Sequence, residues 1–304
     1  MEYFTPEGTS LHASRIAHGC MRIAALSDGE LDRLIKTCLD GGINFFDHAD
    51  IYSNGLCEER FGNALRREAS LRDKMIIQTK CGIVIGERYD FRPEHILNCV
   101  NGSLKRLGIG QIDVLLLHRP DALCEPEDVA EVFDKLHTSG KVRYFGVSNH
   151  NPFQMELLKK YCKQDLIFNQ LQFSPVHTSM IDCGIHVNTY DDKGIMRDGM
   201  VLDYCRLNGI TVQAWSPFCS PEGTYIGNPK YKQLNDELSK ICEKYNLTES
   251  AAVLSWILRH PAKIQPIVGT TSPSRIEGMV KATDVAISHE EWYGVYRAAG
   301  NNIP

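Results

Sequence analysis

Four side chains of different chemistry occur at or near the ends of short apolar runs in the first half of the chain. Asp47 ends the run INFFD, Tyr52 follows it, Lys80 ends KMIIQTK, and His118 ends IDVLLLH. A phenol has a reference pKa of about 10, so alone it is a poor proton donor near neutral pH. A neighbouring ammonium group favours the phenolate and lowers that pKa, and a carboxylate keeps the ammonium group charged. Together the four residue types favour proton transfer, provided that the fold brings them to one place.

Each of these residues also has an ordinary structural interpretation. Asp47 can cap the turn that follows it, and the ring of Tyr52 can pack on the rim of the fold. Lys80 can be an exposed strand end, and His118 can hydrogen-bond a loop. The shared position near strand ends favours one joint site over four separate explanations.

Apolar runs that are typical of strands alternate with helical patterns along the whole chain. After Ser27, for example, Leu31, Leu34, Ile35 and Cys38 follow a helical period that ends at a glycine pair. Eight strand–helix pairs, with strands that are mostly apolar on both faces, are typical of a parallel sheet covered by helices. They predict a closed (β/α)8 TIM barrel, one domain over residues 1–304. The GxGxxG turn of a doubly wound sheet is absent.

Four further segments are predicted in addition to the regular strand–helix pairs: a hairpin, two helices and a long loop. A β-hairpin is predicted at the N-terminus, around the turn at residues 6–8. A helix is predicted over residues 194–209, within strand–helix pair six, and an extra amphipathic helix over residues 289–300. Residues 219–240 are predicted to form a long loop after strand seven, which is either a functional lid or a decorative insertion.

The predicted barrel places the four reactive residues at one rim. Active sites of such barrels lie at the carboxyl ends of the strands. Asp47, Lys80 and His118 end strands two, three and four, which are neighbours, and Tyr52 lies in the loop after strand two. The quartet is therefore expected to converge on one site.

Composition restricts the partners and the location. The net charge is −5, with 43% hydrophobic and 23% charged residues, and there is no basic cluster, so a nucleic-acid or anionic-membrane partner is not expected. No apolar run approaches the roughly 20 residues of a membrane span. The eleven cysteines are scattered and form no CxxC pair, and the start MEYFTPEGTS does not resemble a signal peptide. We expect a cytoplasmic protein with reduced cysteines, either a monomer or a weak homo-oligomer.

The motifs around these strand ends resemble those of the aldo/keto reductase family. The segment GINFFDHADIYSNGLCEERFGNAL is similar to the family signature around its aspartate and tyrosine. DVLLLHRPD, GKVRYFGVSNH, FNQLQFSP, QAWSPF and GTTSPSRI follow in the family's order and spacing, and the style of LLLHRPD and of the C-terminal end resembles a bacterial general-oxidoreductase branch. The resemblance covers nearly the whole chain.

The resemblance implies a function and a mechanism. Members transfer a hydride from NADPH to the carbonyl carbon of an aldehyde or ketone, and a tyrosine gives a proton to the carbonyl oxygen. Carried over by motif, Tyr52 is the general acid, Lys80 lowers its pKa, Asp47 pairs with Lys80, and His118 donates a hydrogen bond to the carbonyl oxygen. A small-molecule carbonyl compound is the implied substrate.

The same match implies a set of cofactor-binding residues, which lie at the ends of strands five to eight. Side chains suited to the nicotinamide carboxamide and ring are Ser148, Asn149, Gln170 and Trp215; those placed beside the phosphates and adenosine are Ser216, Pro217, Phe218, Gly269, Thr270, Thr271 and Arg275. Two of these assignments have competing interpretations, because Ser148 and Asn149 can cap a helix and Trp215 can be a core residue. Trp256, in the middle of a helix, is assigned to packing.

The chain departs from a common family pattern near the expected adenosine site. Many members have a lysine at the position of Gly269, and a glutamate and an asparagine at the positions of Gly278 and Met279. Arg275 remains to match a 2′-phosphate, since a guanidinium group fits phosphate geometry. NADP is therefore the expected cofactor, and use of NAD is possible.

Two alternatives come from other functional classes. One is a catalytically weak barrel that binds nucleotide and acts as a redox sensor or regulatory subunit. The other is a metal-dependent hydrolase with Asp47, His48, Asp50 and His118 as ligands, although Lys80 would be an unfavourable neighbour of a cation.

The substrate pocket is expected to be largely apolar. Its predicted lining comprises the long insert together with Cys20, Met21, Ile83, Arg119 and Phe218. Arg119 is the one expected anion contact, and a structural salt bridge is an equally good interpretation of this residue.

Overall fold

Eight short, buried runs form the strands of a closed parallel barrel in the computed structural model, which describes residues 1–304. The strands are β1 (Ala17–Gly19), β2 (Phe45–Asp47), β3 (Ile76–Cys81), β4 (Ile112–Leu117), β5 (Val142–Ser148), β6 (Leu166–Gln172), β7 (Thr211–Trp215) and β8 (Gln265–Val268). Each strand pairs in parallel with its neighbours in chain order, and β8 closes the ring against β1. The predicted barrel is confirmed.

Eleven α-helices follow or flank these strands. They are α1 (Asp28–Asp40), α2 (Leu56–Arg67), α3 (Pro93–Leu107), α4 (Pro126–Thr138), α5 (Pro152–Tyr161), α6 (Ser179–Ile185), α7 (Val201–Leu207), α8 (Lys232–Tyr245), α9 (Glu249–Leu258), α10 (Pro273–Met279) and α11 (His289–Ala298). Helix α1 begins where predicted, because Ser27 and Glu30 form a reciprocal capping box. Proline lies in the first turn of α3, α4, α5 and α10, where its missing N–H has no intrahelical partner to lose.

The alternation of side chains along each strand divides the barrel interior into layers. Phe45, Val114, Leu116 and Phe168 belong to one apolar cluster in the barrel. Two residues further along β2, the same inward face carries Asp47. Side chains two residues apart on a strand point to the same face, and Asp47 is nearer the carboxyl end of β2 than Phe45 is. The polar layer therefore lies above the apolar layer, toward the carboxyl ends of the strands.

The N-terminal hairpin is confirmed and closes the opposite end of the barrel. Tyr3–Phe4 pairs antiparallel with Ala13–Ser14. Leu11 and Ala13 join the same apolar cluster as the inward residues of the strands. The hairpin therefore covers this end of the barrel, and the large cavity lies at the carboxyl ends of the strands.

The predicted helix over residues 194–209 is wrong in its first half. Helix α7 begins only at Val201, because Met200 adopts a left-handed conformation with φ of 61°. Helix α6, which lies in the irregular stretch before it, was not predicted.

The predicted long loop after β7 is also shorter than expected. Its first part forms a small hairpin, in which Cys219–Ser220 pairs with Gly223–Thr224, but α8 begins at Lys232. Leu234, Leu238 and Ile241 are buried along one face of α8. This helical spacing is visible in the sequence and predicts a helix within the segment, which the loop prediction does not include.

The C-terminal helix is confirmed and is held by a tryptophan pair. The rings of Trp256 in α9 and Trp292 in α11 stack with centroids 4.9 Å apart. Each indole N–H donates to the backbone carbonyl oxygen of the other residue, at 3.0 and 3.1 Å. Trp256 is fully buried, as the packing assignment requires. No helix of the protein combines the length and the apolar character that crossing a membrane demands.

The contact between α2 and α3 supplies a test of this packing. A Cβ atom at Gly62 would meet the backbone of α3 at the carbonyl oxygen of Arg106 and at the carbonyl carbon of Leu107, the latter 2.7 Å away. We expect Gly62→Ala to lower the free energy of unfolding by about 1–3 kcal/mol, although alanine favours a helix over glycine. Urea unfolding measures this change. The matched control is Gly29→Ala in α1, where an added Cβ meets nothing within 4 Å; an equal loss in both variants would contradict the packing argument.

Candidate active site

Lys80 lies at the centre of the polar group that the barrel brings together. Its Nζ donates to both carboxylate oxygens of Asp47 at 2.7 Å, to the carbonyl oxygen of His48 at 2.8 Å and to the hydroxyl of Tyr52 at 3.2 Å. The side chains of Lys80 and Asp47 are 0% and 3% exposed. Three of the four residues singled out from the sequence therefore form one buried, hydrogen-bonded unit.

A strained turn presents Tyr52 to this unit. After β2 the chain enters a short 3-10 turn, Tyr52–Gly55, in which Ser53 and Asn54 have φ values of 49° and 54°. Gly55 follows with φ of 88°. Consecutive left-handed residues are unfavourable except at glycine, and such strain concentrates at functional sites. The turn directs the phenol back over the end of the barrel.

His118 completes the quartet on the adjacent strand end. Its backbone N–H donates to the carbonyl oxygen of Cys81 at 2.9 Å, which fixes it just beyond β4. Its ring lies edge-on to that of Tyr52, with centroids 6.2 Å apart and an interplanar angle of 80°. Tyr52 and His118 line the same cavity, with Asp47 at its base.

The protonation states follow from burial and charge. Burial lowers the pKa of Lys80, but the Asp47 carboxylate and the Tyr52 phenol oppose burial, and the pKa ends above its usual value. Burial, reinforced by the positive charges of Lys80 and Arg119, lowers the pKa of His118 to about 3. At neutral pH the lysine is therefore charged, and the histidine is neutral with one N–H to donate.

The structure corrects the expectation for Tyr52. Burial raises the pKa of the phenol, Lys80 lowers it in part, Asp47 raises it again, and the result lies above the usual value. The ammonium group therefore favours the phenolate without overcoming burial. The phenol remains protonated at neutral pH, which is the form that a proton donor needs.

A layer of glutamines beneath the quartet holds Asp47 in place. Gln78 Nε2 donates to Asp47 at 2.6 Å and to Gln213 at 2.9 Å, and Gln170 Nε2 donates to the same two residues, both at 3.1 Å. Gln213 in turn donates to Gln265 at 2.9 Å. Gln78, Gln213 and Gln265 are not predicted from the sequence. The sequence does contain a signal for them, because each is a glutamine within a mostly apolar strand.

A cavity of about 1020 Å³ opens above this layer, and its walls contain every residue assigned to the cofactor from the sequence. They are Ser148, Asn149, Gln170, Trp215, Ser216, Pro217, Phe218, Gly269, Thr270, Thr271 and Arg275. Further lining residues were not predicted, among them Arg22, Ser272, Glu249 and Ser250. The last two lie at the start of α9, a helix that was assigned only to the scaffold.

The competing interpretations of three wall residues, Ser148, Asn149 and Trp215, do not hold. Asn151, rather than Ser148 or Asn149, caps helix α5, by accepting a hydrogen bond from the backbone of Gln154. Trp215 is half-buried at the cavity wall, and its indole N–H donates to Asn149 Oδ1 at 3.3 Å. These side chains are therefore presented to the cavity by their own local contacts.

The predicted substrate-pocket lining is correct only in part. Met21, Arg119 and Phe218 line the cavity, together with Cys219, Gly223, Thr224 and Ile226 of the segment after β7. Cys20 does not line it, because its side chain is buried beside His18, with Sγ 3.7 Å from Nδ1. Ile83 does not line it either, since it pairs with Tyr89 in a separate hairpin.

The geometry gives no support to the metal-hydrolase alternative. No group of three or more histidine, cysteine, aspartate or glutamate side chains is arranged to hold a metal ion. Asp47 is engaged with Lys80. His48 is buried, with its ring edge-on to Phe61 at a centroid distance of 4.6 Å, and neither of its ring nitrogens has a hydrogen-bond partner.

Comparisons with known proteins agree with this architecture. The model of the aldo/keto reductase family matches residues 15–297. The chain is 36% identical over 307 residues to the Uncharacterized oxidoreductase YcsN of Bacillus subtilis, with 97% of each chain covered. It is 33% identical over 301 residues to a 6-dehydroglucose reductase of Agrobacterium fabrum, with 95% of each covered. The chain belongs to the aldo/keto reductase family, and these two relatives are named as an oxidoreductase and a reductase.

A solved structure supports the fold independently. The thermostable aldo-keto reductase Tm1743, solved in complex with the inhibitor epalrestat, superposes with a TM-score of 0.78. The match covers 98% of this chain and 100% of that one, at 23% sequence identity. This similarity is evidence for the barrel.

The buried histidine beside the quartet predicts how stability depends on pH. Burial, together with the charges of Lys80 and His18, lowers the pKa of His48 to about 3. The unfolded chain then binds a proton more readily than the folded chain, so stability falls as pH drops below about 6.5. We expect His48→Phe to remove this proton-binding difference. Between about pH 6 and 4, the dependence of the free energy of unfolding on pH should therefore become less steep by about 1.4 kcal/mol per pH unit.

Urea unfolding over a series of pH values measures this slope. Other buried histidines leave part of the acid sensitivity in the variant. His137→Gln, at an exposed position of α4, controls for the loss of a histidine that folding does not bury. A slope unchanged in His48→Phe would show that this ring does not remain neutral in the folded protein.

Proposed function

We propose that this protein is an NAD(P)H-dependent oxidoreductase that reduces aldehyde or ketone carbonyls to alcohols. The observation that carries the proposal is the contact between Lys80 Nζ and the Tyr52 hydroxyl, 3.2 Å, at the base of a cavity that His118 also lines. A protonated phenol, a charged lysine beside it and a neutral imidazole form a proton-donating site. A proton donor and preorganised hydrogen bonds are what a carbonyl oxygen requires as it gains negative charge.

The residues of the cavity wall fit a nicotinamide cofactor, which when bound supplies the hydride. The carbonyl oxygen of the Gln170 side chain has no partner within the protein, while its Nε2 is held by Asp47 and Gln213. Ser148 Oγ and Asn149 provide further donors and acceptors, matching the two ends of a carboxamide. The half-buried ring of Trp215 offers a face for stacking.

The chain's own residues perform the proton transfer. His118 donates its N–H to the substrate oxygen and orients the carbonyl group. Tyr52 gives its proton to the same oxygen as the alcohol forms, and the resulting phenolate is stabilised by Lys80. Asp47 keeps Lys80 charged, and Gln78 and Gln170 hold the carboxylate in position.

Tyr52 provides the direct test of this mechanism. We expect Tyr52→Phe to lower kcat for reduction of 4-nitrobenzaldehyde by about 10²–10⁴-fold, because it removes the acid and leaves the ring. Loss of NADPH absorbance measures kcat. Tryptophan fluorescence checks that the variant still binds nucleotide.

Tyr89→Phe, which removes a hydroxyl from an exposed hairpin tyrosine, is the matched control. Full activity in Tyr52→Phe would overturn the assignment. Nucleotide binding without turnover of any carbonyl compound by the wild-type protein would favour the sensor or regulatory alternative instead.

The cofactor preference is proposed to favour NADP through Arg275. This side chain lines the cavity, is exposed and has no ion-pair partner, so it is free to meet a 2′-phosphate. Glu249 lines the same cavity and adds negative charge, and the lysine that many relatives have at position 269 is a glycine here. Use of NAD as a second cofactor is therefore part of the proposal.

Binding measurements test this preference without turnover. We expect Arg275→Ala to weaken NADPH binding by about tenfold or more while it changes NADH binding little, since only NADPH carries the 2′-phosphate. Quenching of tryptophan fluorescence gives both dissociation constants. Arg33→Ala, on an exposed face of α1, controls for the loss of one positive charge; equal weakening of both nucleotides would remove the 2′-phosphate assignment.

The proposed location is the cytoplasm, and the proposed assembly state is a monomer or a weak homo-oligomer. All eleven cysteines are free thiols in the structure, which favours a reducing compartment such as the cytoplasm. The net charge of −5 does not favour a nucleic-acid or anionic-membrane partner, and the cavity fits a small-molecule carbonyl compound.

A further inference from the structure

We propose that Arg119 binds an anionic group, a carboxylate or a phosphate, on the carbonyl substrate. This inference rests on the proposed function and adds a substrate class to it. The observation behind it is a half-buried guanidinium group without a partner, next to the residue that is proposed to orient the carbonyl group.

The topology places Arg119 across the barrel from Arg275, the proposed phosphate contact. Arg119 directly follows His118 at the end of β4 and lines the cavity. The residues assigned to the cofactor lie at or beyond the ends of β5 to β8. Strand β5 is next to β4, whereas β8, which precedes Arg275, is on the opposite side of the ring. A cofactor phosphate near Arg275 is therefore across the cavity from Arg119. Arg119 is left available to bind a group of the substrate.

No group within the protein neutralises Arg119. Its guanidinium group makes neither an ion pair nor a hydrogen bond, so the salt-bridge interpretation that was open from the sequence is not realised. The nearby Asp121 instead accepts hydrogen bonds from the backbone N–H groups of Phe91 and Leu123, both at 2.9 Å. Partial burial of an unpaired cation is unfavourable, and a bound anion would relieve it.

The charge of Arg119 also acts at the reaction centre. After burial and Lys80, it is the third influence that lowers the pKa of the His118 imidazole. His118 and Arg119 are consecutive in the chain and both line the cavity, so one ligand can lie against both side chains. A guanidinium fork suits the paired oxygens of carboxylate and phosphate groups. These features favour a compact substrate, in which few atoms separate the anion from the carbonyl group.

The remaining charges of the cavity leave Arg119 as the best anion site for substrate. Asp47 is paired with Lys80, and Glu249 begins α9, between β7 and β8, on the nucleotide side. Arg22 follows β1 and is exposed at the rim. Arg275 lies on the nucleotide side, so Arg22 is the competing cation that the experiment has to separate from Arg119.

The test compares matched carbonyl compounds with and without an anionic group. The pairs are 4-carboxybenzaldehyde with its methyl ester, succinic semialdehyde with butanal, and glyceraldehyde 3-phosphate with glyceraldehyde. We expect the wild-type protein to prefer at least one anionic member by tenfold or more in kcat/KM, mainly through KM. The first two pairs report on carboxylate and the third on phosphate.

Substitutions then assign the preference to a residue. Arg119→Gln should reduce the ratio of anionic to neutral kcat/KM by tenfold or more, and Arg119→Lys should restore part of it as a point charge. Arg33→Gln, the matched exposed control, should keep the wild-type ratio. Benzoate inhibition of ester reduction gives a second readout, and its inhibition constant should rise at least fivefold in Arg119→Gln. Melting temperatures check that each variant is folded.

Three results would overturn the inference. The wild-type protein could reduce neutral and anionic compounds equally well, Arg119→Gln could keep the preference, or Arg22→Gln could abolish the preference while Arg119→Gln does not. In each case reduction of the neutral aldehydes would leave the proposed function intact. Failure to reduce any aldehyde of either kind, with nucleotide bound, would instead contradict the proposed function itself.

Discussion

The buried ion pair between Lys80 and Asp47 is the constraint on which the rest of the site depends. Two charges that are removed from water destabilise a fold unless they are close together and their other hydrogen-bonding groups are satisfied. The pair meets this condition with the carbonyl oxygen of His48, the hydroxyl of Tyr52 and the amide of Gln78. The phenol is thus one of the groups that make the buried charge tolerable. Its position at the base of the cavity is therefore fixed by the same contacts that permit the pair to be buried.

The barrel supplies the setting for this pair through the two-residue period of its strands. Phe45 and Asp47 are two residues apart on β2, so both side chains point into the barrel. The polar layer is therefore directly adjacent to the apolar core. The Gln170 amide of β6 donates to Asp47 of β2 across the ring, and Gln213 Oε1 accepts from both Gln78 and Gln170. A change in strand register would point these side chains out of the barrel, which explains why the site and the fold cannot be separated.

The electrostatics of the site result from competition rather than from a single neighbour. Lys80 favours the phenolate of Tyr52, while burial and Asp47 oppose it, and the net effect raises the pKa of the phenol. On His118, burial and two cations act in the same direction and keep the ring neutral. The two proposed hydrogen-bond donors to a carbonyl oxygen are therefore both uncharged, and the nearby positive charge resides on Lys80 and Arg119. This arrangement is suited to a ligand that develops or carries negative charge.

The sequence by itself determined the elements and their order, because these depend on local patterns. Apolar strands, the Ser27 cap and proline at the start of α3 predicted their elements well, and the strand ends located Asp47, Lys80 and His118. Local patterns gave wrong predictions at two places. The left-handed backbone at Met200 delays the start of α7, and the side chain of Cys20 is buried in the core and does not line the cavity. Only the tertiary structure decided which groups are paired, which are buried and in which direction a pKa moves. These properties arise from residues distant in sequence, such as Gln213 beneath Asp47 or the unpaired Arg119, and no local pattern encodes such distances.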